Sequence, residues 1–186
     1  MSKKSIFIFL ITIYSSVHAQ VMTTPLFGID NNGATVQVSP VSGKISVLLF
    51  TATDCPYDDQ YIGRIQELAV QFGGQVNFFL IDASPEDTPL KIRAQIAEWN
   101  TQVPVIRDED QTILKSLMGR KTMEAFLLSG TATGFKTVYR GPIDDNPQVA
   151  DDADYHYLAD AIGQLIKGNN IPVSEVRATG CVIRNK

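Results

Sequence analysis

Apolar residues along the chain recur with two different periods, which alternate from segment to segment. Two runs, 45–50 and 76–81, are almost continuously apolar, which is typical of strands buried on both faces of a sheet. The stretch 33–39 alternates apolar and polar residues, as a half-buried or edge strand does. Between the two buried strands, apolar residues follow a helical spacing from Cys55 to Phe72, and Gly73-Gly74 ends the helix.

The second half of the chain continues this alternation. A helical segment opens at 84–87 and presents Ile92, Ile96 and Trp99 on one face. Strands are predicted at 103–106, 125–128 and 135–139, and further helices at 112–118 and 155–167. The order β-β-α-β-α-β-α-β-β-α predicts an α/β fold with a mixed central sheet flanked by helices. Residues 20–186 have the length of a single domain that buries its own core.

The first 19 residues have the composition of an export signal. Lys3 and Lys4 give a positive start, 6–14 is apolar, and a cleavage site is predicted after Ala19. The apolar run is too short to span a bilayer, which takes about 20 residues. We therefore expect residues 20–186 to be exported, to reside in a bacterial periplasm and to have no membrane span.

The charge balance narrows the choice of partners. The chain carries 16 basic and 20 acidic residues, a formal net charge of −4, which becomes −6 once Lys3 and Lys4 leave with the signal. A negative chain argues against nucleic acid and anionic membranes as partners. Once His18 is removed, His156 is the only histidine, which excludes a metal site built from several histidines. The acid-rich run 144–154 lacks the glycine and terminal glutamate of a calcium loop, so no metal is expected there.

The main candidate for chemistry is Cys55, which follows a buried strand and precedes a helix. Pro56 suits the first helical position because its missing N–H costs no hydrogen bond there. The unpaired amides and the dipole of the helix favour a thiolate at this point. Asp54, Asp58 and Asp59 bring negative charge to the same turn and oppose the thiolate. The sequence leaves open which effect is larger.

Three motifs follow one another along the chain: Thr53-Asp54-Cys55-Pro56, Tyr139 to Asp145, and Gly180 to Ile183. Together they resemble the thioredoxin-like redoxins of the alkyl hydroperoxide reductase/thiol-specific antioxidant superfamily. The resemblance is most specific to an exported bacterial subgroup with Thr-Asp-Cys-Pro, Arg-Gly-x-Ile-Asp-Asp and C-terminal Gly-Cys-x-Ile motifs. It implies a thioredoxin-like fold and thiol redox chemistry at the cysteine, for which no cofactor is needed.

The chain departs from these families at three positions. Asp58 stands where dithiol thioredoxins have their second cysteine, and Ala52 stands where peroxiredoxins have the threonine that orients peroxide. Met123 stands where most thioredoxin-like proteins have a cis-proline. Since a cis bond before a residue other than proline costs about 2.5–4 kcal/mol, we expect the peptide bond before Met123 to be trans.

Within this resemblance, Cys181 is the candidate to replace the missing second cysteine. We expect the tail to fold back over the start of the Cys55 helix and the two cysteines to pair. In the redox interpretation Cys55 attacks a disulfide or a peroxide, Cys181 resolves the intermediate, and a dithiol protein supplies electrons. The alternative is a permanent staple, which for a loop of this length would stabilise the fold by about 4–5 kcal/mol.

The segment that contains Arg140, Asp144 and Asp145 also has two interpretations. In the functional one, Arg140 offsets the aspartates around Cys55 and the aspartate pair holds the tail. In the structural one, the segment ends a strand and its carboxylates satisfy amides of a loop.

Two functions of other classes stay open. One is a non-catalytic binding module, in which the bridge is structural and the Met123 loop contacts a partner protein. The other is copper handling by the soft or borderline ligands Cys55, Cys181, Met123 and His156. The accessibility of Cys55 separates a reactive cysteine from a staple. The sequence indicates neither the oligomeric state nor the electron donor.

Overall fold

The computed structural model describes residues 21–186, so the export signal predicted at residues 1–19 lies outside the described residues. Its strands are β1 Phe27–Ile29, β2 Thr35–Gln37, β3 Ile45–Thr51, β4 Val76–Asp82, β5 Val105–Arg107, β6 Ala125–Thr131 and β7 Gly134–Gly141. Its helices are α1 Pro56–Phe72, α2 Pro89–Trp99, α3 Thr112–Leu117 and α4 Tyr157–Ile166, with a short 3-10 helix at Ala150–Asp152. None of the helices in this part of the chain is long and apolar enough to cross a membrane.

The seven strands form one sheet in the order β2-β1-β5-β4-β3-β6-β7, with parallel pairs at β3–β4 and β4–β5 and antiparallel pairs elsewhere. The predicted mixed sheet flanked by helices is therefore confirmed. One core layer packs α1 and α4 on one face of the sheet, and a second packs α3 on the other. Strand β3 lies between β4 and β6 and is buried on both faces. It therefore fixes the position of the backbone that leads to Cys55.

Two elements differ from the prediction. Strand β1 was not predicted, because three residues around a glycine carry no periodicity. Gly28 is needed there, since a Cβ at this position would lie 2.3 Å from Cγ2 of Ile106. Helix α2 begins at Pro89 rather than at 84–87, and the Thr88 side chain accepts a hydrogen bond from the Lys91 amide at 3.3 Å. The preceding residues form a loop in which Asp87 binds Thr53.

Pairing within the sheet brings the end of β3 against the residues before β6. Leu49 lies opposite Ala125, and beyond this pair the Met123 amide donates to the Phe50 carbonyl at 2.7 Å. Helix α1, which follows β3, is tied to the loop after β7 by a buried ion pair between Arg64 and Asp144 at 2.7 Å. The start of α1 and the loop before β6 therefore lie side by side.

Two buried carboxyl groups lie near the ends of β3 and β4. Asp82 is the last residue of β4, and Asp58, in the first turn of α1, accepts a hydrogen bond from Thr51 at the end of β3. Burial and, next, the neighbouring Asp87 carboxylate raise the pKa of Asp82 to about 8. The Oδ2 atom of Asp82 is buried and has no hydrogen-bond partner among residues 21–186. Burial also raises the pKa of Asp58 to about 6, against hydrogen bonds from Thr51 and Ala52 that lower it. Both groups bind protons more tightly in the folded protein than in the unfolded chain.

We predict that the folded state loses stability as the pH rises from 5 to 8. Both folded pKa values, about 8 for Asp82 and about 6 for Asp58, lie above the ordinary value of 3.8 for an aspartate in the unfolded chain. The contribution to stability is therefore fully present below 3.8 and is lost as the pH rises through each folded pKa. The free energy of unfolding should fall by roughly 2–4 kcal/mol over this range. Urea denaturation at several pH values measures it.

Asp82→Asn should flatten most of this slope, because the amide does not titrate. Asp54→Asn is the matched control, since the Asp54 side chain is 80% exposed and the slope should be retained. A wild-type protein that becomes more stable from pH 5 to 8, or a wild-type slope in Asp82→Asn, would contradict the assignment.

Candidate functional site

Cys55 occupies the junction that the sequence predicts. It is the N-cap residue of α1 with an extended backbone, and Pro56 follows at the first helical position. The cap position has no side-chain hydrogen bond to the first turn. Pro56 has no amide hydrogen and the Asp58 amide donates to the Cys55 carbonyl at 3.0 Å, which leaves the Tyr57 amide and the helix dipole to favour an anion here. The residue is 3% exposed.

Cys55 and Cys181 form a disulfide across 126 residues of sequence, with Cα atoms 6.2 Å apart. The predicted pairing is confirmed, and residues 21–186 contain no free cysteine. The two ends of the bridge differ in exposure: Cys55 is buried, whereas Cys181 is partly exposed. The neighbouring Val182 is 74% exposed.

The tail reaches Cys55 by pairing with the segment before β6. The Thr122 amide donates to the Cys181 carbonyl at 2.9 Å, and the Ile183 amide donates to the Arg120 carbonyl at 3.0 Å. A Cβ at position 180 would lie 2.0 Å from the Thr122 carbonyl oxygen, so only glycine allows this approach. The Gly-Cys motif of the tail thus has a steric cause.

Thr122 is a site residue that the sequence analysis missed. Its side-chain oxygen lies 3.1 Å from the sulfur of Cys55 and accepts a hydrogen bond from the Cys181 amide, also at 3.1 Å. The residue is fully buried. A hydroxyl at this distance stabilises a thiolate by donating to it. The available signal was its position immediately before Met123, the residue that aligns with the cis-proline of related proteins.

Met123 follows Thr122 in the sequence, and its side chain is buried in the protein core. The described residues contain no cis peptide bond, so the trans bond expected before Met123 is confirmed. Its φ of 56° is left-handed, and its side chain is 1% exposed within the α1-side core. The Met123 side chain is therefore part of the core, and contact between a partner protein and the Met123 loop stays a prediction that involves the other residues of this loop.

The three aspartates near Cys55 have separate partners. Asp54 is exposed and pairs with Lys91 at 3.0 Å. Asp59 accepts a hydrogen bond from the Trp99 indole at 2.8 Å. Asp58 is buried, and its Oδ2 accepts from Thr51 Oγ1 at 2.6 Å and from the Ala52 amide at 2.9 Å. Asp58 is thus the buried carboxyl group of the three, and burial raises its pKa to about 6.

Arg140 and the aspartate pair lie elsewhere than the functional interpretation expected. Arg140 binds the Glu124 carboxylate at 2.8 Å and the Met118 carbonyl at 2.9 Å, and it does not contact the aspartates around Cys55. Asp144 accepts hydrogen bonds from Tyr61 and Arg64. These contacts correct the expectation that the arginine offsets charge at Cys55, because its guanidinium is already satisfied by Glu124 and Met118.

Asp145 and the main chain of Arg140 also make contacts that differ from the functional interpretation, in which the aspartate pair holds the tail. Asp145 accepts from the amides of Asp154 and Tyr155, which closes the acidic loop. The tail is held instead by the Arg140 main chain, whose amide donates to the Ser174 carbonyl at 2.9 Å and whose carbonyl accepts from the Val176 amide at 3.0 Å. The structural interpretation of the aspartate pair therefore fits, and the tail is positioned by the backbone.

His156 begins α4 as an exposed N-cap residue. Residues 21–186 contain no cluster of three or more histidine, cysteine or acidic side chains arranged to hold a metal ion. Both sulfurs are already bonded to each other. A copper ion would have to be bound by a reduced, opened form of the site.

Solved structures of similar fold come from several bacteria. A hypothetical protein of Sinorhizobium meliloti 1021 is 20% identical with a TM-score of 0.75, covering 92% of this chain and 97% of its own. An uncharacterized conserved protein of Geobacillus kaustophilus is 23% identical with a TM-score of 0.76, covering 90% and 92%. A putative thiol:disulfide interchange protein DsbE of Chlorobium tepidum is 14% identical with a TM-score of 0.59, covering 82% and 98%.

These identities are low, so the structures establish the fold, and the predicted thioredoxin-like fold is confirmed. No curated protein matches the sequence. The model of the AhpC/TSA family matches residues 18–133. Because this match covers more than half of the sequence, the chain belongs to the AhpC/TSA family.

Proposed function

We propose that the protein is an exported thiol–disulfide redox protein whose Cys55–Cys181 bridge opens and closes during turnover. The observation that carries the proposal is the position of the bridge. One cysteine caps the first turn of α1, where a thiolate is stabilised, and the other is partly exposed on the tail. The export signal predicted at residues 1–19 and the three motifs of the exported redoxin subgroup support a periplasmic location.

In the proposed cycle, the reduced protein meets its oxidant at Cys55. The thiolate attacks one sulfur of a disulfide, forms a mixed disulfide and releases the other sulfur as a thiolate. The Cys181 thiolate then attacks the Cys55 sulfur, forms the bridge and releases the second substrate thiolate. A dithiol protein reduces the bridge and becomes a disulfide itself. The Thr122 hydroxyl, 3.1 Å from the Cys55 sulfur, assists by donating to the thiolate.

A disulfide fits this site better than a peroxide does. Ala52 has no hydroxyl, and the hydroxyls on either side of it are already engaged. Thr51 donates to Asp58 at 2.6 Å, and Thr53 donates to Asp87. Neither hydroxyl is free to orient a peroxide. In the peroxidase alternative, Cys55 would take one peroxide oxygen as a sulfenic acid and Cys181 would displace it as water.

The attack by Cys55 has a structural requirement. Cys55 is 3% exposed while bridged, so a substrate reaches it only if the tail moves away once the bridge is reduced. Four main-chain hydrogen bonds oppose this movement, two at Thr122 and Arg120 and two at Arg140. Side-chain contacts oppose it as well: the Cys181 amide donates to Thr122 Oγ1, Gln111 donates to the Arg184 carbonyl, and the Ile183 side chain is buried. Each hydrogen bond contributes about 0.5–1.5 kcal/mol, so the proposed function requires that reduction releases the tail locally while the rest of the domain stays folded.

A structural staple is the second candidate, and the same burial of Cys55 favours it. A bridge that closes 126 residues would stabilise the folded state by about 4–5 kcal/mol in the chain-entropy model. The protein would then act as a binding module of the thioredoxin-like fold, through a surface other than the Met123 side chain.

The reduction potential distinguishes the two candidates. A redox-active bridge is expected well above about −300 mV, the value below which structural disulfides typically lie. Equilibration of the mature protein in glutathione and thioredoxin buffers, followed by thiol alkylation and mass measurement, gives the potential. A potential at or below that value, with a large fall in melting temperature on reduction, would support the staple.

We further predict that Cys181→Ser leaves a covalent intermediate on Cys55, because the thiol that releases it is absent. Cys55→Ser should accumulate none, because Cys181 has no helix terminus to favour its thiolate. Each variant is exposed to a disulfide substrate and, separately, to peroxide, and the intact protein is weighed.

A mixed disulfide on Cys181→Ser supports exchange, and a sulfenic or sulfinic adduct supports peroxide reduction. Equal adducts on both variants, or none on either, would falsify the roles given to the two cysteines.

A further inference from the structure

We infer that electrons return to the protein through Cys181: a donor thiolate attacks the Cys181 sulfur and expels Cys55 as a thiolate. The inference rests on the proposed redox function and adds the site of entry and the kind of donor. Access is the first argument. Cys55 is 3% exposed beneath the tail, whereas Cys181 is partly exposed beside Val182, which is 74% exposed. The sulfur of the tail is the one that an external protein can reach.

The leaving group is the second argument. A disulfide breaks faster when the sulfur that leaves has the lower pKa. Cys55 leaves at the start of α1, where the Tyr57 amide and the helix dipole favour an anion, and 3.1 Å from the Thr122 hydroxyl, which can donate to a thiolate. Cys181 lies in a tail without a helix terminus. Attack at Cys181 is thus favoured by the same features that make Cys55 reactive in the reduced protein.

The exchange balances with a dithiol donor. The first donor thiolate forms a bond to the Cys181 sulfur, and the electron pair of the broken bridge goes to Cys55. The second donor thiolate then attacks the first donor sulfur, forms the donor disulfide and releases Cys181 as a thiolate, which takes up a proton. One protein disulfide and one donor dithiol become one protein dithiol and one donor disulfide.

Charge indicates what kind of donor fits. In a chain of net charge −4, several basic residues lie in the tail and in the segment that pairs with it. Arg120, Lys121 and Arg177 have no carboxylate partner within residues 21–186. We call these three residues the tail-side cationic surface. Two of them adjoin the site directly, since the Arg120 carbonyl accepts from Ile183 and Lys121 pairs with Val182.

Exposed apolar side chains lie beside the tail-side cationic surface. A groove of about 440 Å³ lies between the end of α3 and the tail, and its walls include Met118, Arg120 and Val182. Met118 and Val182 are 67% and 74% exposed. A donor that presents its nucleophilic cysteine within acidic residues and an apolar rim would be complementary to it.

Small thiols test the point of entry in the unmutated, oxidised protein. Limiting 2-mercaptoethanesulfonate is added, the reaction is quenched rapidly in acid, free thiols are alkylated, and the peptides are mapped. The expected result is the probe on Cys181 and the alkyl group on Cys55. The probe on Cys55 would overturn this inference and leave the proposed function standing. A bridge that reacts only in denaturant would overturn both.

The kind of donor is tested by comparing anionic 2-mercaptoethanesulfonate, neutral 2-mercaptoethanol and cationic cysteamine at equal thiolate concentration. At low salt, the rate constants should fall in that order, and added salt should reduce the differences. Arg120→Gln and Arg177→Gln should each lower the anionic rate by about twofold. Arg93→Gln, an exposed arginine on α2, is the matched control and should leave the rate unchanged. Equal rates for the three probes, or a reversed order, would overturn the assignment of an acidic donor.

Discussion

The contact between the tail and Thr122 is the constraint on which the site depends. Cys55 is fixed by the end of β3 and the start of α1, and cannot move far. Cys181 reaches it only because Gly180 allows the tail backbone to approach the Thr122 carbonyl. The same threonine accepts from the Cys181 amide and lies 3.1 Å from the Cys55 sulfur. One residue therefore positions both ends of the bridge and, in the proposed function, donates to the thiolate that forms when the bridge opens.

This arrangement explains how a thioredoxin-like fold works without a second cysteine in α1. Asp58 occupies that position, is buried and holds the loop after β3 through Thr51 and Ala52. The second sulfur comes instead from the end of the chain, which places it near the surface. Cys55 is buried at the start of α1, whereas Cys181 is partly exposed on the tail. In the proposed function, this difference assigns the oxidant to Cys55 and the electron donor to Cys181.

The sequence predicted those features that depend on long apolar patterns or on local backbone chemistry. The buried strands β3 and β4, helix α1 and the junction at Cys55 belong to this group, because each is determined by residues close in sequence. It did not predict β1, whose three residues carry no period, or Thr122, whose role arises from a tertiary contact 59 residues away. For the same reason the sequence left two interpretations of Arg140, Asp144 and Asp145 open, and the structural one fits the aspartate pair. Charges in a sequence do not reveal which neighbours will satisfy them.

The central claim is that the bridge opens while the domain stays folded and the tail moves off Cys55. Amide hydrogen exchange of the mature protein, oxidised and then reduced under native conditions, tests it most directly. The account predicts that reduction increases exchange in residues 172–186 and at 120–123, while β3, β4 and α1 keep their protection. Loss of protection throughout the sheet on reduction, or an unchanged tail, would contradict it.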